Sequence, residues 1–238
     1  MAIRGVLFDK DGTIIDFHLS WSPINRAAAL HAAGGDVTLA NRLLSHGGQD
    51  PETDRCLPGT PLAQGTAKEI AAVFSEVIGS SRYAALADDI DRIFEEGGKT
   101  HSVLVPGAVE TLRWLRGRGI PIGVATNDSM LGIETSLARH DVLPHFAFLA
   151  GYDSGHGAKP GPGMVTAFCR SQGLAPEEVC VVGDSINDLR MASAGGAGLK
   201  IGVLTGPSAP ADLEGFADLI LGSIAEMPAS EDFTRCLA

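Results

Sequence analysis

Aromatic side chains are scarce in this chain: Phe, Tyr and Trp make up 5% of its 238 residues. Its interior must therefore be filled by aliphatic side chains and Ala. At 45% hydrophobic and 20% charged residues, the composition is globular rather than disordered. Positive charge is also short, with 18 Lys and Arg against 29 Asp and Glu and a formal charge of −11. A non-specific nucleic-acid binder needs a basic surface to replace counterions. No Lys/Arg cluster along the chain offers one, which argues against nucleic acid as a partner. The same negative field repels anions, so any phosphate site must carry its own positive charge. Cys56, Cys169, Cys180 and Cys236 form no CxxC pair and show no zinc-ligand spacing. Scattered thiols in a chain of this length point to a reducing, cytoplasmic setting. Met1 to Gly5 passes straight into a strand-like run, so no secretory leader is expected. No apolar run approaches the roughly 20 residues needed to span a bilayer, so no membrane partner is expected. The chain is expected to act as a monomer or homodimer.

What is present changes in pattern along the chain. The apolar run from Ile3 to Phe8 ends at Asp9 and reads as a buried strand followed by a loop. From about Trp21 to Glu96 apolar residues recur at helical spacing, as in Ile70, Val73, Phe74, Val77 and Ile78. The segment from His46 to Gly65, rich in Gly, Pro, Asp and Thr, reads as a loop within this helical region. Gly97-Gly98 reads as a hinge or boundary. From Pro106 helices and strands alternate. Helices are expected over 110–118, 133–140, 165–172 and 189–194, and strands over 120–126, 146–150, 179–182, 199–204 and 219–221. Such alternation predicts an α/β fold, a doubly wound, Rossmann-like parallel sheet with helices on both faces. Residues 1–16 and 100–238 would form this core, and 17–99 a small inserted helical domain.

Active groups in such sheets lie in loops beyond the carboxyl ends of strands. Four such places hold reactive residues: Asp9-Lys10-Asp11-Gly12-Thr13, Thr126-Asn127-Asp128, Lys159-Pro160, and Gly183-Asp184-Ser185-Ile186-Asn187-Asp188. Each alone has an ordinary explanation. Asp-Gly-Thr after a strand is often a turn, Thr-Asn-Asp can cap a helix, and Lys-Pro is usually surface loop. All four fall at one end of one sheet, however. Gathering Asp9, Asp11, Asp184 and Asp188 without a cation would bring strong like-charge repulsion. A bound metal and Lys159 would relieve it.

In this order and spacing the four motifs resemble the haloacid dehalogenase superfamily of phosphohydrolases, and the resemblance covers essentially the whole chain. The superfamily's Asp-x-Asp-Gly-Thr matches Asp9 to Thr13, and its Thr or Ser after a hydrophobic strand matches Thr126. Its Lys with Pro-x-Pro matches Lys159-Pro160-Gly161-Pro162, and its Gly-Asp-Ser-x-x-Asp matches Gly183 to Asp188. The resemblance implies that Asp9, anionic without help at neutral pH, attacks phosphorus and forms an aspartyl phosphate. Asp11 would protonate the leaving alkoxide and then deprotonate water. Thr126 and the Asn127 amide would bind phosphate, with Gly12 and Thr13 lining that site, and Lys159 would neutralise charge. Mg2+ would be held by Asp9, the Asp11 carbonyl and Asp184, supported by Asp188. The resemblance makes residues 17–99 the superfamily's small cap, which would exclude water and select a small phosphorylated metabolite. The Phe-Asp-Lys-Asp-Gly-Thr start looks most like members that act on 2-phosphoglycolate. In the cap, Arg55 is the candidate for binding an anionic group on the substrate, with His18 and Arg26 behind it.

One departure is Lys10, where many relatives carry an apolar residue. Alternation along an extended segment turns it away from Asp9 and Asp11. It reads as solvated, or as supporting the site from behind. Other readings are weaker. A dehalogenase needs neither Asp11 nor a metal, and a phosphonate hydrolase needs a Schiff-base Lys where the cap interior offers Lys68. A phosphoryl-accepting receiver module is much shorter. A phosphosugar mutase shares the core and stays open as an alternative.

Overall fold

A computed structural model of the chain describes residues 2–79 and 83–237. Six strands form one sheet: β1 (Gly5–Phe8), β2 (Ile122–Ala125), β3 (Phe148–Ala150), β4 (Val179–Gly183), β5 (Leu199–Val203) and β6 (Leu219–Leu221). Their order is β3-β2-β1-β4-β5-β6, and every neighbouring pair is parallel. All residues of β1, β2 and β4 are buried, as strands covered on both faces require. Alternate residues feed two cores. Val6, Phe8, Val124 and Val182 face one. Leu7, Ala125, Val179 and Val181 face the other, against Met164 and Phe168. The doubly wound sheet read from the alternation is the observed fold.

The helices are α1 (Phe17–Ala32), α2 (Val37–Gly47), α3 (Pro61–Gln64), α4 (Ala67–Ile78), α5 (Tyr83–His101), α6 (Ala108–Arg116), α7 (Met130–Ala138), α8 (Gly163–Gln172) and α9 (Ile186–Ala194), with single turns α10 (Pro210–Leu213) and α11 (Glu231–Thr234) near the end. Helices α6 to α9 each begin two or three residues earlier than their apolar periodicity indicates. In α7 and α9 the first turn is set by a side-chain cap. Ser129 accepts from the Gly132 amide and Ser185 from that of Asp188. Among the described residues no helix is long and apolar enough to cross a membrane.

Helices α1 to α5 enclose a third core of Phe17, Trp21, Ile24, Leu43, Leu44, Ile70, Phe74, Ile90 and Phe94. The chain enters and leaves this layer along two paired segments. Asp16 donates its amide to Val103 O at 2.8 Å, and Val105 to Ile14 O at 2.9 Å. Two expectations need correction. The loop expected over 46–65 is shorter, because α2 runs to Gly47 and Pro61 opens α3. The break expected at Gly97-Gly98 does not occur, since both glycines lie inside α5. A helical Gly costs about 1 kcal/mol relative to Ala, and here close packing offsets that cost. A Cβ at Gly97 would stand 2.7 Å from Ile24 Cγ1 of α1, and one at Gly98 would stand 3.3 Å from Ser136 Cβ of α7. The pair marks a close approach of helices, not a hinge.

Candidate active site

The strand order reverses direction at β1, which has β2 on one side and β4 on the other. The crevice beyond their carboxyl ends is where such sheets bind ligands. Asp9 follows β1 directly, and its amide still donates to Val182 O at 2.8 Å. Asp184 follows β4, Thr126 follows β2, and Lys159 arrives from the loop after β3. Asp9, Thr126, Lys159, Asp184 and Asp188 are all buried. Lys159 Nζ donates to Asp9 Oδ1 at 2.5 Å and to Asp188 Oδ1 at 2.6 Å.

Asp188 is placed by the start of α9. As the third residue of that helix it closes a capping box, its Oδ2 accepting from the Ser185 amide at 3.0 Å and the Ser185 hydroxyl at 2.6 Å. Its other oxygen is left for Lys159. Asn127 fixes the Lys159 loop. Its Oδ1 accepts from the Lys159 amide at 2.8 Å, while its Nδ2 donates to Gln64 O at 3.1 Å. Thr126 Oγ1 accepts from the Asp128 amide at 3.1 Å, an arrangement in which its hydroxyl can donate to a ligand.

The turn after Asp9 is as constrained as the side chains. Gly12 has φ +84°, and a Cβ there would lie 2.6 Å from Asp184 Cγ. Only Gly allows the turn to lie against that carboxylate. Thr205 Oγ1 holds the Gly12 carbonyl at 2.5 Å.

Asp11 is gripped from two sides: Trp21 Nε1 of α1 donates to its Oδ1 at 2.6 Å, and Lys10 Nζ lies 3.0 Å from its Oδ2. The solvated reading of Lys10 is therefore wrong. The side chain is 1% exposed, pairs with Asp128 Oδ2 at 2.7 Å, and has its ammonium 5.3 Å from the Trp21 ring centroid. Strand alternation does not apply to it, because β1 ends at Phe8 and the chain turns. The amides of Ile14 and Ile15 both donate to the Lys10 carbonyl, and the side chain brings its ammonium between Asp11 and Asp128.

A cavity of about 60 Å³ opens between the sheet edge and the helical layer. Its floor holds Asp9, Asp11, Thr126, Asn127, Lys159, Asp184 and Asp188, and its far wall is Phe17, Trp21, Asn25, Gln64, Ile70 and Phe94. Seven of the expected site residues thus meet around one space. Gly12 and Thr13 are not in its lining: Gly12 packs on Asp184 and Thr13 is buried in the turn. Arg55 is exposed and outside the lining. Sequence reasoning did not single out Trp21, Asn25 or the Lys10–Asp128 pair. The partners of that pair are 118 residues apart in the chain, and no local pattern links them.

The site is short of positive charge. Burial pushes Asp9 up to about 7, against the pull of Lys159, with Asp188 and Asp11 adding to the rise. Burial, then Asp9 and Asp188, holds Asp184 well above the usual carboxylate range. Asp11 is raised by burial and drawn back by Lys10. Burial disfavours the charged form of Lys159, but Asp188 and Asp9 outweigh it and its pKa rises. One ammonium among three buried carboxylates leaves negative charge unmet. Oxygens of Asp9, Asp184 and Asp188 lie within 4.8 Å of one another, so an all-oxygen donor set for a hard divalent cation is in place.

The haloacid dehalogenase-like hydrolase family matches residues 3–196. The chain belongs to that family, as its four motifs indicate. Phosphoglycolate phosphatase of Escherichia coli (strain K12) is 28% identical over 209 residues, covering 82% of this chain and 79% of that protein. A predicted phosphoglycolate phosphatase from Haemophilus somnus 129PT has the same fold, with a TM-score of 0.74, 21% identity, and coverage of 95% of this chain and 97% of that one. So does a beta-phosphoglucomutase from Clostridium difficile, with a TM-score of 0.69, 15% identity, and coverage of 98% and 96%.

Proposed function

We propose that the chain is a Mg2+-dependent phosphatase that hydrolyses a small phosphate monoester through a phosphorylated Asp9. The observation that carries this reading is the grouping of Asp9, Lys159, Asp184 and Asp188 at the reversal point of the sheet, with Asp11 beside them in the cavity floor. The substrate phosphate would sit on the Lys159 ammonium, the Thr126 hydroxyl and the Asn127 amide. Asp9 attacks phosphorus, the bond to the alcohol oxygen breaks, and the proton held by Asp11 passes to that oxygen. Water then gives a proton to Asp11 and attacks the aspartyl phosphate, releasing phosphate and restoring Asp9.

Asp9, the Asp11 carbonyl and Asp184 would hold Mg2+, with Asp188 in support, and the ion would supply positive charge to the phosphate oxygens. The Trp21–Asp11 and Asn127–Gln64 hydrogen bonds tie the helical layer to the reacting end of the sheet. They support residues 17–99 as a cap over a core of 1–16 and 100–238, closing over a metabolite-sized ligand and keeping water from the first step. The relatives' names make 2-phosphoglycolate the first substrate to test. Asp9→Asn, nearly isosteric, is expected to keep the fold by circular dichroism and to lose almost all phosphate release. Substantial turnover in that variant sinks the assignment. Release of phosphate and free alcohol in equal amounts separates hydrolysis from the mutase alternative, which returns a phosphorylated product.

A further inference from the structure

The cap side of the cavity differs in chemistry from its floor. Phe17, Leu62, Ile70 and Phe94 are buried and line it. Among the described lining residues Lys159 is the one cationic side chain, and its ammonium is shared between Asp9 and Asp188. Neither Arg55 nor Arg26 is in the lining, and Arg26 Nε is engaged by Asp54 at 2.7 Å. Asp91, on the cap side, accepts a hydrogen bond from the Tyr152 hydroxyl at 2.6 Å. Asn25 stands apart. It is fully buried and lines the cavity, and its Nδ2 donates to Gln49 Oε1 at 2.9 Å. Its Oδ1 is buried without a hydrogen-bond partner among the described residues. An unpaired buried amide oxygen is costly, and at the wall of a ligand cavity a ligand donor relieves that cost.

We propose that the cap selects a phosphate ester whose leaving group is a small, uncharged, hydroxyl-bearing alcohol, with Asn25 Oδ1 accepting a hydrogen bond from that hydroxyl, and that it disfavours carboxylated esters such as 2-phosphoglycolate. This rests on the phosphatase reading above. A carboxylate in this space loses its water against aromatic and aliphatic walls, with no free cation to replace it. It also faces the acceptor oxygen of Asn25 and the carboxylates of Asp11, Asp91 and Asp128. An ammonium also loses its water against these walls, and Asp91, the carboxylate on the cap side, already accepts a hydrogen bond from Tyr152. A hydroxyl supplies the missing donor and brings no charge to be desolvated.

The test is steady-state kinetics of the Mg2+-loaded enzyme on glycerol 1-phosphate, n-propyl phosphate, aminoethyl phosphate and 2-phosphoglycolate, with nitrophenyl phosphate as a measure of the core chemistry. Glycerol 1-phosphate is expected to give the highest kcat/KM of the four alkyl esters, exceeding the propyl ester by roughly tenfold or more, as a site built to bond a hydroxyl does. In Asn25→Leu the glycerol-to-propyl ratio should fall toward one. That ratio is taken within one preparation, so a partly folded sample does not distort it. 2-Phosphoglycolate or aminoethyl phosphate turned over as well as glycerol 1-phosphate by the unaltered enzyme overturns the proposal, as does an unchanged ratio in Asn25→Leu. Failure to hydrolyse nitrophenyl phosphate and all four alkyl esters overturns the phosphatase reading instead.

Discussion

Replacing Lys10 by Met keeps most of the side-chain volume and removes one buried charge. The ammonium lies 3.0 Å from Asp11 Oδ2 and 2.7 Å from Asp128 Oδ2, and its side chain is 1% exposed. At an effective dielectric of about 20, each contact carries roughly 5–6 kcal/mol of Coulomb attraction. Most of that is cancelled by the cost of taking all three charges out of water. Truncation is different, because it leaves two carboxylates facing each other without a cation. Breaking a buried pair in this way costs about 3–5 kcal/mol. For a chain of this size that corresponds to a fall in Tm of about 6–20 °C, a large part of a total stability of about 5–15 kcal/mol. Urea titration and thermal melts of K10M measure the loss. Adding Asp128→Asn should recover about 1–2 kcal/mol by removing one of the stranded charges. A loss below about 1 kcal/mol, the range of exposed pairs, would refute the reasoning and return Lys10 to the surface.

Three further outcomes are expected. Asp11→Asn should slow the phosphorylation step by roughly 10²–10⁴-fold on an alkyl phosphate, but less on nitrophenyl phosphate, whose leaving group needs little protonation. Equal losses in rapid-quench measurements would remove Asp11 as the acid. Exhaustive chelation should abolish phosphate release, with activity restored by Mg2+ and not by Ca2+, whose larger and looser shell misplaces the attacking oxygen; activity that survives chelation would contradict the metal requirement. Burial lowers the pKa of His140 below 6.5, outweighing its bond to the Ser102 carbonyl. The unfolded chain therefore takes up this proton first. The contribution of His140 is fully present above 6.5 and is lost as pH falls through its folded pKa. His140→Gln should flatten that part of the Tm–pH curve, and an unaltered slope would count against it.

The sheet and the floor of the site were legible because both are written locally. Apolar runs of four or five residues ending in Asp9, Thr126 or Asp184 state a strand and its chemistry together. Parallel strands then bring those ends to one edge. Of the two readings of Lys10 the solvated one failed, because its environment is made by Asp128 and Trp21, which no spacing near Lys10 reveals. Arg55 drew attention as a cation in a Gly-rich loop, yet the cavity wall is formed by α1, α3, α4 and α5. Asn25 gave no signal: a lone amide in an Ala-rich helix looks like any other polar position until its oxygen is found without a partner. Gly97-Gly98 was read by propensity alone, whereas Ile24 and Ser136 decide what those positions need.

That unbroken helix governs how the two layers can part. A flexible break at Gly97-Gly98 would let the helical layer swing like a lid on a strap. Instead α5 rests against α7 over Gly98 and Ser136 while holding Ile24 of α1 against Gly97. Helices packed this closely move past one another by shear, in small steps that keep their side chains interlocked. The paired crossings at 14–16 and 103–105 add a second restraint beside it. The displacement this packing would allow is a short slide of α1 relative to the sheet. Such a slide would stretch the bond from Trp21 to Asp11, so the position of α1 and the setting of the Asp11 carboxylate are linked.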